Sequence, residues 1–309
     1  MDKQSKIYIA GHTGLVGSAL VEELSKRGYR DIVTASSKNL DLRDSVATRD
    51  FFTSVRPEYV FHTAGVVGGI QANRTRPVEF VVDNILITTN VLTSAHDVGV
   101  KKLIYFASNC MYPRDCPQPM KIEHLLTGPF EPTNGAFASA KIAGLYMAQA
   151  YNSQFGTNYV SVIPAGLFGP RDNFNPERSH FFPALMKKFH DAKVNGDNSI
   201  VLWGTGSPRR EALYVKDLAD ATLFVMDNHN GSEPINLGTN HDYSVSEIAD
   251  IIKNIVGFEG EIVYDKTKPD GMPRKLLDSS KISEMGWSPK YKLEDAFRET
   301  YDWYIKNRI

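Results

Sequence analysis

The stretch "KIYIAGHTGLVGSALVEELSKRG" (6–28) decides the fold. A short apolar run, "KIYIAG" (6–11), ends in glycine and reads as a strand. "LVGSALVEELSKRG" (15–28) carries apolar residues at helical spacing and closes on Gly28 as a C-cap. Gly11, Gly14 and Gly17 join the two as a G-x-x-G-x-x-G turn. Such a turn brings backbone N–H groups and a helix N-terminus up to a pyrophosphate. Three glycines alone could serve any tight turn. Placed between the first strand and the first helix of the chain, they point to a dinucleotide cradle.

Outward from this unit the alternation repeats. "DIVTAS" (31–36), "YVFHTAG" (59–65), "KLIYFAS" (102–108) and "YVSVIPAG" (159–166) read as strands. "SVATRDFFTSV" (45–55), "PVEFVVDNILITTNVLTSAHDVG" (77–99) and a segment from about 134 to 155 read as helices. Apolar strands alternating with helices specify an α/β fold with a doubly wound parallel sheet. After about residue 167 Pro, Gly and Asn become frequent and the pattern loosens. A helix at 180–193, a strand "IVLWG" (200–204) and segments near 215–228, 244–256 and 282–308 stand out there. The expected division is a Rossmann cofactor domain over 1–166, with 211–240 returning to it. A smaller substrate lobe takes 167–210 and 241–309.

Bulk properties narrow the function. The 309 residues are 42% apolar and 23% charged, as in ordinary globular proteins, with a formal net charge of −1. That balance gives no electrostatic case for nucleic acid or a membrane surface. No run approaches the roughly 18 apolar residues of a membrane span. "MDKQSKIYIAG" leads straight into a strand rather than through a secretory leader. The two cysteines, Cys110 and Cys116, fit neither a disulfide framework nor a zinc motif, so no metal is expected and the cytoplasm is the expected compartment.

An acid at the end of the second strand would bind an NAD ribose. Ser36, Ser37 and Lys38 stand there instead, and hydroxyls with a cation suit the 2′-phosphate of NADP(H). Lys38 also reads as a solvated loop charge. Asp41 and Leu42 follow and would flank the adenine.

Past the fourth strand come Ser108 and Cys110, and some 25 residues later the helix of "EPTNGAFASAK" (131–141), capped by Asn134 or Thr133. Phe137 and Lys141 lie four apart and share a face. A ring beside an ammonium group is a poor core pair. A serine at a strand end, followed by an aromatic and a lysine on one helix face, resembles the Ser–Tyr–Lys triad of the extended short-chain dehydrogenases/reductases. With the glycine turn and this helix start, "VGGIQANRTRPVEF", "SNCMYP", "GPRDNFNPERSHFFPAL", "WGTGSPRREALYV" and "KPDGMPRKLLD" extend the likeness over nearly the whole chain. They are similar to the GDP-L-fucose synthase group, with GDP-L-colitose synthases and GDP-6-deoxyheptose reductases close by.

That resemblance implies an NADPH-dependent epimerase-reductase of a GDP-4-keto-6-deoxysugar. It implies NADP(H) on Gly11, His12, Thr13, Gly14, Leu15, Val16, Gly17, Ala64, Lys141, Pro164, Leu167 and His180. Cys110 becomes the base that removes a proton beside the ketone, and His180 the acid that returns one from the other face. Ser108 binds the ketone oxygen and Lys141 the nicotinamide ribose. Phe181, Leu185, Lys188, Trp203, Arg210 and Lys275 line the nucleotide-sugar, with Asn109 and Met111 beside Cys110. Arg209 reads as a solvated neighbour of Arg210, and Asp270 as a turn former or a site residue. Cys116 reads as structural. A homodimer built on the helices 77–98 and 134–155 is the implied assembly.

The likeness breaks where it matters most. Phe137 occupies the position of the family's catalytic Tyr, and Phe cannot donate a proton. Ser139 cannot replace it, being roughly 200° round the helix. Three readings stand: an engineered Tyr→Phe change, which the otherwise complete site favours; an epimerase that has lost reduction; or a binding module for NADP(H) or a nucleotide sugar. A reductase or epimerase of a GDP-dideoxy or deoxyheptose sugar is the alternative substrate reading. Ala165 and Gly166 stand where fucose synthases commonly show Thr-Asn, and His12 where they commonly show Arg.

Overall fold

A computed structural model describes residues 1–307. The last residue of the 282–308 segment therefore lies outside the described residues. The first half contains β1 (Ile7–Ala10), α1 (Leu15–Lys26), β2 (Ile32–Ala35), α2 (Ser45–Val55) and β3 (Tyr59–His62). It continues with α3 (Ile70–Thr75), α4 (Pro77–Asp97), β4 (Lys102–Phe106), α5 (Gly135–Phe155) and β5 (Tyr159–Pro164). These strands are apolar on both faces, and β1, β4 and β5 are buried along their whole length. They pair in parallel in the order β2-β1-β3-β4-β5. The order reverses between β1 and β3, and that switch point opens a crevice at the strands' C-terminal ends.

The second half begins with β6 (Gly166–Phe168), α6 (Phe181–Asn195), β7 (Ser199–Trp203) and β8 (Arg209–Tyr214). Next come α7 (Val215–Asn228), β9 (Ile235–Leu237), β10 (Asp242–Ser244) and α8 (Val245–Val256). The chain closes with β11 (Glu261–Asp265), β12 (Arg274–Lys275), α9 (Ser280–Glu284) and α10 (Leu293–Lys306). β9 joins the large sheet as its sixth strand, parallel to β5, and α7 packs on α1. β8 lies between β10 and β12 and also pairs with β6, while β7 pairs with β11. The 282–308 segment is two helices rather than one. Between them Trp287 is buried and its indole N–H donates to Asp220 at 2.8 Å. One apolar cluster runs through both halves.

Candidate functional site

The first wall of the crevice is built from backbone. Gly11 has φ +85°, and a Cβ there would come within 2.8 Å of the Ala64 backbone. A Cβ on Gly17 would lie 2.2 Å from the Gly11 carbonyl oxygen. Gly14 caps α1 without any side-chain hydrogen bond, and the first turn holds no acidic residue. The leading N–H groups of Leu15, Val16 and Gly17 thus face the crevice without a competing carboxylate. His12 adds a buried Nδ1 with no partner. Thr13 is exposed at the tip of the turn. The cradle has the shape and polarity that a dinucleotide pyrophosphate needs.

Beyond β2, Ser36 closes a turn by accepting from the N–H groups of Asn39 and Leu40, and Ser37 and Lys38 are exposed. Asp41 is engaged by Arg43 in a bidentate pair at 2.9 and 2.8 Å, which holds its carboxyl below the usual range. Leu42 turns into the core and keeps 9% of its surface, so it offers an adenine little more than an edge. Pro164 ends β5 in a buried position, and Leu167 follows in β6, half-buried.

The reaction centre lies at the C-terminal ends of β4 and β5. Ser108 caps a short helical turn, Asn109–Met111, by accepting the Cys110 N–H at 3.2 Å. Lys141 is 5% exposed and donates to the Phe106 carbonyl at 2.9 Å. Its ammonium sits 5.7 Å from the centre of the Phe137 ring and 5.2 Å from that of Tyr105. Among the described residues no carboxylate pairs with it, and burial pushes its pKa down to about 8. Beneath it burial and the Lys141 charge hold His62 neutral, with a pKa of about 3. Phe137 meets Phe80 edge-on at 6.0 Å and belongs to a small apolar cluster with Ala72, against which Val66 and Cys110 pack. The ring thus fills its slot with carbon alone. Ser139 points away, its hydroxyl donating to the Gly135 carbonyl at 2.8 Å.

His180 caps α6. The loop before it is pinned to the 66–69 loop by Gly69 N–H donating to Arg178 O at 3.0 Å. His180 itself is solvent-exposed. Desolvation and the Lys275 charge still lower its pKa. Asn109, Cys110, Glu131, Asn134 and Lys275 line one narrow pocket. Ser108, Cys110, Phe137 and Lys141 are thus linked by contact, Lys275 shares the Cys110 pocket, and its charge reaches His180.

The second lobe supplies an outer wall. Trp203 is 71% exposed, with the Lys268 ammonium 5.9 Å from its ring. Phe181 is partly exposed at the start of α6, and Lys188 donates to the Val201 carbonyl. Arg210 is half-buried and spends one amino group on the carbonyls of Arg209 and Met272, each at 2.7 Å.

Several expectations are refined or corrected. Met111 is wholly buried in the core and has no surface to offer a sugar. Leu185 keeps only 5% of its surface, because α6 turns that face inward. Arg209 is more than a solvated neighbour: though 40% exposed, its side chain pairs with buried Asp242 at 2.7 Å. Asp270 does more than form a turn, since it accepts from Thr205 N–H and hydroxyl, each at 2.8 Å. The expected cap of α5 also differs. Thr133 binds Glu131, and Asn134 donates to Cys110 Sγ at 3.4 Å instead of capping. Sequence reasoning missed that contact because Asn before a helix carries a stronger local meaning as a cap.

A doubly wound parallel sheet with a glycine cradle at its switch point, and a Ser–aromatic–Lys set across the crevice, defines a Rossmann-fold nucleotide-sugar enzyme of the extended short-chain dehydrogenase/reductase type. Residues 7–238 match the NAD dependent epimerase/dehydratase family, and the chain belongs to it. Within that family it groups with GDP-L-fucose synthases. It is 50% identical to GDP-L-fucose synthase 1 of Arabidopsis thaliana over 99% of this chain and 95% of that one. It superposes on a GDP-6-OMe-4-keto-L-xylo-heptose reductase from Campylobacter jejuni with TM-score 0.93, at 37% identity and 99% coverage of each chain. A GDP-L-fucose synthetase from Naegleria fowleri bound to NADP gives TM-score 0.92 at 34% identity, covering 100% of this chain and 96% of that one.

Proposed function

We propose that this chain is an NADP(H)-dependent epimerase-reductase of a GDP-4-keto-6-deoxysugar in which Phe137 cripples the reductive half. The cofactor reading is supported by the cradle of Gly11, Gly14 and Gly17, by its N–H groups free of carboxylates, and by the NADP-bound relative. Ser36, Ser37 and Lys38 would meet the 2′-phosphate, and Lys141 the nicotinamide ribose. When bound, NADPH supplies the hydride for reduction of the keto carbon.

The chain's own residues do the proton chemistry. Cys110 takes a proton from the carbon beside the ketone, and the C–H electron pair moves onto the ketone oxygen, which Ser108 steadies. His180 returns a proton from the opposite face. Its lowered pKa makes the imidazolium a stronger acid. Phe181, Lys188, Trp203, Arg210 and Lys275 hold the nucleotide-sugar, with Asn109 at the rim.

The domain division is proposed as expected, 1–166 with 211–240 against 167–210 with 241–309. β9 pairing with β5 and α7 packing on α1 support the return of the middle segment. A homodimer through α4 and α5, which pack together, is supported by exposed Val78, Val82 and Leu86, spaced four apart on α4, and by exposed Tyr146 on α5.

The observation that carries the reading is Phe137 in a site otherwise complete. Phe137→Tyr restores a positioned proton donor and should raise NADPH oxidation with a GDP-4-ketosugar by about 10² to 10⁴. The unchanged chain should still exchange solvent deuterium into the sugar beside the ketone. If the Tyr form neither oxidises NADPH nor exchanges deuterium, the enzyme reading fails.

A further inference from the structure

The side chain at the start of α5 is misused by local standards. Asn is among the best N-cap residues, because its side-chain oxygen accepts an N–H from the first turn. Asn134 sits at that position and makes no such bond. Its backbone, at φ −129° and ψ 14°, lies outside the extended region usual for a cap. Its amide instead donates Nδ2–H to Cys110 Sγ at 3.4 Å, and its Oδ1 is buried without a partner. Both residues line the pocket that also holds Asn109 and Lys275. The Asn109 Oδ1 stands 4.0 Å from the same sulfur, an acceptor for the thiol proton. The thiol therefore meets both a donor and an acceptor, each with a distinct effect.

We infer that Asn134 is a positioning residue for Cys110: its amide N–H holds the sulfur in place and aims it at the sugar. The inference rests on the proposed role of Cys110 as base. An N–H donated to sulfur grows stronger when the sulfur carries charge. Deprotonation keeps the Asn134 bond and gives up the thiol's bond to Asn109. When Cys110 removes a carbon-bound proton, that proton ends on sulfur and the thiol can again turn to Asn109 Oδ1. The unpaired Oδ1 of Asn134 follows from the same orientation, because an amide that points its nitrogen at sulfur must leave its oxygen elsewhere in the pocket.

Two substitutions separate this role from helix capping. Asn134→Ala removes the sulfur contact and leaves a residue that cannot cap. Asn134→Ser keeps a good capping side chain but is too short to reach the sulfur. Two measurements on the full chain are needed. Alkylation of Cys110 by iodoacetamide at pH 7, followed by mass spectrometry, requires no substrate. Solvent deuterium exchange into a GDP-4-ketosugar gives kcat and KM. Both variants should be alkylated about tenfold more slowly, the scale expected for a lost hydrogen bond to an anion. Both should lose exchange kcat by a similar factor with KM unchanged, and the Ser variant should melt at or above the parent temperature. Alkylation at the parental rate in both variants overturns the inference. So does a loss in the Ala variant that the Ser variant does not share, since that would be capping. If alkylation slows as expected while the parent chain shows no exchange, the contact to sulfur stands and the base reading of Cys110 fails.

Discussion

The two walls of the crevice are made of different material. The cofactor wall is backbone: at Gly11 and Gly17 it presents N–H groups and carbonyls at distances that no Cβ would allow. The sugar wall is side chain and strap. Residues 266–275 turn out of β11 and run as an irregular strap into β12, ending in Lys275, and side chains tie it down. Asp270 clasps Thr205, Arg210 grips the Met272 carbonyl, and Arg274 pairs with Asp242. Backbone recognition suits a ligand part that never varies, such as a pyrophosphate. Side-chain recognition can be altered one residue at a time, as a varied sugar requires.

The sharpest way to break this contrast is to add one methyl group to each wall. Gly17→Ala puts a Cβ 2.2 Å from the Gly11 oxygen, and the turn must move to admit it. Overpacking of that kind costs about 1–3 kcal/mol, and here the displaced atoms are the binding surface. NADPH affinity, read by fluorescence titration, should fall about 100-fold. Gly28→Ala serves as the control. Gly28 has φ +83° but nothing within 4 Å of a built Cβ, so it should strain α1's end and leave cofactor binding intact. Equal loss in both variants would remove the claim that the turn's close approach, rather than helix stability, governs the cofactor.

A smaller effect is expected on the other wall. Asp270→Ala frees the strap at one clasp while Arg210 and Arg274 still hold it. Because the clasp is exposed, the loss should be modest: KM for the nucleotide-sugar rises about fivefold, with NADPH affinity unchanged. A change in NADPH affinity would show that the walls are not independent.

The same contrast explains what could be read from the chain. Strand–helix alternation and the Gly11–Gly17 spacing were legible because they are local, and the large sheet has the expected parallel strands at 7–10, 32–35, 59–62, 102–106 and 159–164. β8 was missed, although it is the hub of the smaller sheet. Its partners β6, β10 and β12 are distant in sequence, and its polar start, Arg209–Arg210–Glu211, masks its buried half. Phe137 and Lys141 could be paired by helical spacing. The inward turn of Met111, the Arg209–Asp242 pair and the Asn134–Cys110 contact could not, since each depends on which element packs opposite. Local meaning even misled at Asn134, where a capping residue serves a sulfur.

The smallest expected effect tests the seam between the walls. Asp172 lies in the 169–180 loop that leads from the cofactor side to His180. It is 9% exposed, accepts from Asn173 N–H at 2.7 Å, and leaves Oδ2 buried without a partner. Burial pushes its pKa up to about 7, well above its ordinary value. Raised in the folded state, this group binds a proton there at pH values where the unfolded chain has already released it. Its contribution to stability is thus complete below about pH 4 and is lost as pH rises through 7. Asp172→Asn cannot ionise, so melting temperature measured from pH 5 to 8 should decline less in the variant. The gain at pH 8 should be on the order of 1–2 kcal/mol, after allowance for water reaching the loop. Cofactor affinity should not move, because the loop touches neither the glycine turn nor β2 by any hydrogen bond among the described residues. Parallel melting curves for both forms would mean that Asp172 is ionised in the fold, and that some cation or water supplies the partner its second oxygen lacks.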